Sequence, residues 1–132
     1  MWRLDGGGET LVFLRRAGPP VLAYWGPALP ADLDPAAIEV LAERPIPHGA
    51  LDGGEAFDIF PEAGRGFTGH PAFQVHRADG GFVTQLALVD ARPVEGGHRF
   101  RLGDPLAGIE VELTVTLDPA TGVAAFRSRI AN

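Results

Sequence analysis

The chain has no cysteine, no lysine and a single serine among its 132 residues. Without cysteine there is no disulfide framework, no thiolate metal site and no thiol nucleophile, and the balance tips towards a reducing compartment. The one serine, Ser128, stands in an alternating run with no GxSxG elbow around it, which removes serine-nucleophile chemistry. With no lysine, all eleven basic residues are arginine, and 17 acidic residues outweigh them to give a net charge of -6. That sign opposes the tracking of a phosphate backbone, so no nucleic-acid partner is expected. No apolar run approaches the ~20 residues of a membrane span. The opening MWRLDGGGET also has neither a basic n-region nor an apolar h-region. The expected location is the cytoplasm, with no membrane partner.

What is abundant is glycine and proline, 18 and 12 residues, which imply many turns and short elements. Hydrophobic residues at 45% and a positive mean hydropathy exclude disorder by composition. A chain of 13.9 kDa fits one domain that buries roughly two thirds of its unfolded surface.

Periodicity is clearest near the C-terminus, where Ile109, Val111, Leu113, Val115 and Leu117 alternate with Glu110, Glu112, Thr114 and Thr116. That pattern predicts a half-buried strand. The turn residues of 118–122 then return the chain as a partner strand over 123–130, forming a hairpin. Further strands are predicted at 10–15, 21–25, 72–77, 82–90 and 98–102, and Gly6 to Gly8 read as a hairpin turn. Asp34 as N-cap and Pro35 at the first position predict one short helix ending before Arg44-Pro45, with Ile38 and Leu41 on its buried face. The fold class expected is all-β, an antiparallel β-sandwich with one short helix.

Residues 44–69 show little periodicity, and irregular segments of that length are usually functional or mobile. They run into GRGFTGHPAFQVHR (64–77), where aromatics, histidines and arginines crowd a glycine-punctuated loop suited to a sugar or an anion. His70, held extended by Pro71, is expected to be accessible, and Phe73 to be core. Arg65 and Arg77 could clamp a carboxylate across a domain boundary or simply be solvated. The pairs Arg99 with Arg101 and Arg127 with Arg129 each share one strand face, either solvated or turned to another domain. Tyr24 and Trp25 are adjacent in a strand, so at most one could serve as a sugar platform. The histidines at 48, 70, 76 and 98 have neither HxH nor HExxH spacing, and no metal site is expected. Asp52, Glu55, Asp58 and Glu62 supply loop carboxylates of the kind glycoside hydrolysis needs in pairs, but each alone reads as a solvated charge.

The order LAYWGPAL (22–29), FPEAGRGFTGHPAFQVHR (60–77), DGG (79–81), LALVDARPV (86–94), LGDPLAGIEVELTVTLD (102–118) and FRSRIAN (126–132) resembles the N-terminal domain of family 36 α-galactosidases over nearly the whole chain. The resemblance implies part of a β-supersandwich preceding a (β/α)8 barrel, in a retaining enzyme that hydrolyses terminal α-galactosides such as melibiose and raffinose without a cofactor. It implies that both catalytic aspartates belong to the barrel, so residues 1–132 form a single non-catalytic domain of a longer enzyme, expected to be inactive alone. The partners implied are the C-terminal barrel, the α-galactoside oligosaccharide and further copies in a homo-oligomer. In some members a loop of this domain reaches a neighbouring subunit's active site with an aspartate and an aromatic. By position that loop is 44–58, which marks Asp52, His48 and His70 as substrate-contacting candidates and Arg65 and Arg77 as interface candidates. RPIPHGALDGG (44–54) departs from those members. The alternative is a free-standing carbohydrate-binding sandwich module.

Overall fold

Seven strands form two antiparallel sheets, and in each sheet the strands follow chain order. The structure, a computed structural model, describes residues 1–43, 48, 49 and 59–132. The first sheet contains β1 (Trp2–Gly6), β2 (Glu9–Leu14) and β3 (Val21–Pro27). The second contains β4 (Ala87–Val94), β5 (Gly97–Asp104), β6 (Ile109–Leu117) and β7 (Ala124–Ala131). The helix α1 (Pro35–Ala42) lies against the outer side of the first sheet. This is the expected all-β sandwich with one short helix.

Alternation fixes which way each strand faces. Leu4, Leu11 and Phe13 of the first sheet meet Phe100, Leu102, Val111, Leu113, Val115 and Leu117 of the second in the main core. Edge-to-face aromatic contacts lock the layers, with Trp2 and Phe13 at 5.0 and 6.1 Å from Phe100. On the other side of β2, Val12 and Leu14 pack with Ile38 of α1 in a second, smaller cluster. The Asp34 side chain caps that helix by accepting from Ala36 N at 2.9 Å.

At one end the two sheets are laced together. Gly7, in the β1–β2 turn with φ 58°, donates its N–H to the Pro119 carbonyl at 2.8 Å. A Cβ there would sit 2.0 Å from Gly122 N, so only glycine fits. Asp118 organises the β6–β7 turn, its Oδ1 accepting from Ala120 N, Thr121 N and the Thr121 hydroxyl.

Four expectations need correction. β1 was not foreseen, because WRLDG carries too short an alternation to stand out from its glycines. Leu41 is 83% exposed instead of sharing the Ile38 face; Ala42, one full turn on from Ile38, takes the packed position. Residues 72–77 are not a strand, although Phe73 and Val75 do pack on the core. Their backbone bonds leave the sheet, Ala72 N going to Pro61 O and Arg77 N to Gly81 O. The strand predicted over 82–90 starts only at Ala87 and runs on to Val94, with a bulge between Leu88 and Asp90.

Candidate functional site

Residues 59–86 carry most of the side chains selected from the sequence, and acidic side chains hold much of this segment in place instead of a neighbouring strand. Leu86 N donates to both carboxylate oxygens of Glu62, at 2.8 and 3.0 Å. Gln85 N donates to Asp104 Oδ2 at 2.8 Å, while Asp104 Oδ1 takes the N–H groups of Leu106 and Ala107. Two carboxylates thus satisfy backbone donors that would otherwise need a ladder partner.

Glu62 and Arg65 form the central clasp. Glu62 is 1% exposed and accepts from Arg65 Nε at 3.0 Å across a single 3-10 turn, Ala63–Arg65. Arg65 Nη2 continues to the Leu86 carbonyl at 2.6 Å and reaches Ala17 O at 3.4 Å. A Cβ on Gly18 would lie 2.4 Å from Arg65 Nε, so glycine at 18 is what admits the guanidinium. Burial pushes the Glu62 carboxyl above its usual range, against the pull of Thr84, Leu86 N–H and Arg65. Burial also pushes Asp104 up, but its three backbone donors, with the charge of Arg77, leave it below the ordinary range. His98 on β5 is pushed below its ordinary value by burial, partly offset by a backbone hydrogen bond with Arg3, and its Nδ1 is buried without a partner.

The sequence-selected residues fall into three groups. His70 is exposed between Gly69 and Pro71, and His48 is exposed in a turn. Asp52, Glu55 and Asp58 lie outside the described residues. Arg65 and Arg77 are both engaged within the chain, Arg77 closing a turn through Asp79 at 3.3 Å and the Val83 carbonyl at 3.1 Å. Their side chains keep 27% and 22% exposure. Phe73 packs on Phe60 with ring centroids 5.4 Å apart. Tyr24 is partly buried and donates its hydroxyl to Pro27 O, whereas Trp25 is 53% exposed.

Glu62 is therefore not the solvated charge expected for the loop carboxylates, and it has no access to a substrate. The Glu62-x-x-Arg65 spacing, with Gly64 and Gly66 framing the arginine, was the available signal for the clasp. Among the described residues no group of three or more His, Cys, Asp or Glu side chains converges as a metal site. What this region offers chemically is hydrogen bonding, from the His70 imidazole and from the outer edges of two arginines. Among the described residues no helix is long and apolar enough to cross a membrane.

Comparisons with known proteins agree with this architecture. A variant of the family 36 α-galactosidase AgaA from Geobacillus stearothermophilus, solved with 1-deoxygalactonojirimycin, superposes with a TM-score of 0.76 at 24% identity over 99% of this chain and 22% of that chain. The α-galactosidase from Lactobacillus brevis gives 0.76 at 16% identity, over 99% of this chain and 21% of its own. AgaB from Geobacillus stearothermophilus gives 0.69 at 24% identity, covering 98% and 21%. These likenesses establish a shared fold, and the chain spans about a fifth of the length of each solved enzyme. No curated protein matches the chain. The model of the glycosyl hydrolase family 36 N-terminal domain matches residues 18–132, nearly all of the sequence, and the chain belongs to that family.

Proposed function

We propose that this chain is the non-catalytic N-terminal sandwich of a retaining α-galactosidase that hydrolyses terminal α-galactosides of the melibiose and raffinose type. The observation that carries the reading is the family match over residues 18–132 in a chain that spans only a fifth of its solved relatives. Among those relatives, AgaA variants have been solved with raffinose and with stachyose. The single described loop carboxylate, Glu62, is consumed by the clasp, which fits catalysis by carboxylates carried elsewhere.

In this reading the domain packs beside a catalytic barrel, helps to assemble a cytoplasmic homo-oligomer and completes the substrate pocket. Asp52, His48 and His70 are the residues offered to substrate, and the outer edges of Arg65 and Arg77 face the domain or subunit interface. No cofactor is required. The purified chain should release no nitrophenol from a nitrophenyl α-galactoside, whereas the longer polypeptide should; enzyme-like turnover by the chain alone, with host enzymes excluded, refutes a non-catalytic role. In the longer enzyme, Asp52→Ala should raise KM for raffinose, and unchanged kinetics would remove the loop from the substrate pocket.

The exposed ring of Trp25 favours a second reading, a free-standing carbohydrate-binding module. Calorimetry with galactose, melibiose and raffinose separates the two. A module gives saturable heat that is lost in Trp25→Ala, and a scaffold gives none.

A further inference from the structure

The two sheets are unequal, three strands against four, and the mismatch leaves one side of the sandwich open. Register shows where. On β6 and β7, Val111 lies opposite Ile130, Leu113 opposite Ser128, Val115 opposite Phe126 and Leu117 opposite Ala124. Paired residues share a face, so Phe126, Ser128 and Ile130 point to the core side. Yet Phe126 and Ile130 are 45% and 46% exposed, while their β6 partners are buried. On the facing sheet Trp25 stands opposite Leu11 and so also points inward, although it is half exposed.

The open side therefore has two apolar rims, β3 and β7. Each strand pairs on one edge only among the described residues. Trp25 and Phe126 touch across the gap, ring centroids 6.1 Å apart. Beside them a cavity of about 190 Å³ opens to solvent, walled by Phe60, Leu113, Val115, Phe126 and Ser128. Ser128 is the smallest side chain in its inward row apart from Ala124, and it leaves the space above buried Leu113 unfilled. A long edge strand with exposed inward-facing apolar residues is an aggregation hazard unless something covers it.

We infer that β7 accepts a further antiparallel strand from the remaining polypeptide of the enzyme, and that a large apolar side chain of this strand seats over Ser128 between Phe60, Leu113 and Val115. The inference rests on the proposed function, which supplies the occupant: the solved relatives have some four fifths of their length outside the matched part. An apolar strand fits better than a sugar, because the cavity wall is built largely of hydrocarbon and Phe126 already covers the inner face of the Trp25 rim.

The absence of native cysteine in these residues makes the test direct. Ser128→Cys places one thiol at the cavity, and its alkylation by iodoacetamide is followed by peptide mass spectrometry in the 132-residue chain and in the longer polypeptide. The chain alone should react at close to the rate of a free thiol, and the longer polypeptide at least about a hundredfold more slowly, as for a site reached only through opening. Alternate β7 amides, those without a β6 partner, should gain protection from hydrogen exchange in parallel. Equal alkylation rates in both proteins, or thiol protection without amide protection, would overturn strand addition. Protection in the chain alone that grows with its concentration would assign the open side to a second copy and overturn it as well. As a second variant, Ser128→Leu fills the cavity from within; it should raise the melting temperature of the chain alone and lower that of the longer polypeptide. Hydrolase activity of the unsubstituted longer polypeptide reads the functional proposal separately: active enzyme with an unprotected thiol sinks the strand, and protection without α-galactosidase activity sinks the function.

Discussion

Truncating Glu62 to alanine strips an acceptor from two buried partners at once. Leu86 N loses both of its short bonds, and Arg65 loses its carboxylate while keeping the Leu86 carbonyl. A buried N–H left unpaired costs about 1–3 kcal/mol, and breaking a buried ion pair about 3–5 kcal/mol. The upper figure does not apply here, because Arg65 keeps 27% side-chain exposure and can turn to water. The expected cost is roughly 2–4 kcal/mol, which for a domain of this size lowers the melting temperature by about 10 °C. Glu62→Gln keeps one oxygen for Leu86 N and should cost only about 1 kcal/mol. Urea melts followed by circular dichroism measure both. The pH dependence adds a sign. Because burial raises the folded carboxyl above the model value of 4.5, the native state holds its proton longer than the unfolded chain. The contribution of Glu62 is thus complete below about pH 4.5 and declines as pH rises through the folded value. The gap between wild type and Glu62→Gln should narrow from pH 4.5 to pH 7. A Glu62→Ala cost under about 1 kcal/mol, or a gap that widens with pH, would refute the clasp as drawn here.

Asp104→Ala strands the donors of Gln85, Leu106 and Ala107 and should cost about 2–4 kcal/mol in the same melts, with Asp104→Asn recovering about half. His98 has the opposite sign from Glu62: burial depresses its folded value, so its contribution is whole above about pH 6.5 and is lost as pH falls through the folded value. His98→Leu should therefore gain on wild type when urea midpoints at pH 7.5 and pH 5 are compared. Gly7→Ala meets both a left-handed backbone and the Gly122 backbone; thermal melts should show a loss of roughly 2–4 kcal/mol.

Strand identity was readable wherever burial alternated along a laddered chain. Ile109 to Leu117 is the clearest case, since every inward residue is buried and every outward one is at least partly solvated. The same alternation misled at 72–77 and 82–86. Phe73, Val75, Thr84 and Leu86 do point inward, but the backbone between them bonds to turns and carboxylates, and sequence pattern reports the side chain and not the partner of its N–H. The clasp was half visible, as an arginine framed by glycines. Its other half, Glu62, looked like any loop acid because burial of a charge depends on distant residues such as Leu86 and Gly18. Trp25 shows the converse: it sits at an inward register position, but it is exposed because the opposite sheet does not reach over it.

The strand order has a bearing on how this molecule is made. Each sheet is a meander whose neighbours in space are neighbours in sequence, so pairing within a sheet closes only short loops. The first sheet is complete by Pro27 and can zip up while most of the chain is still emerging from a ribosome. The Glu62 clasp must wait for Leu86, and the lacing of Gly7 to Pro119 for nearly the whole length. Synthesis from the N-terminus thus orders assembly as sheet, clasp, then closure of the two layers, with β7 the last strand to be laid down.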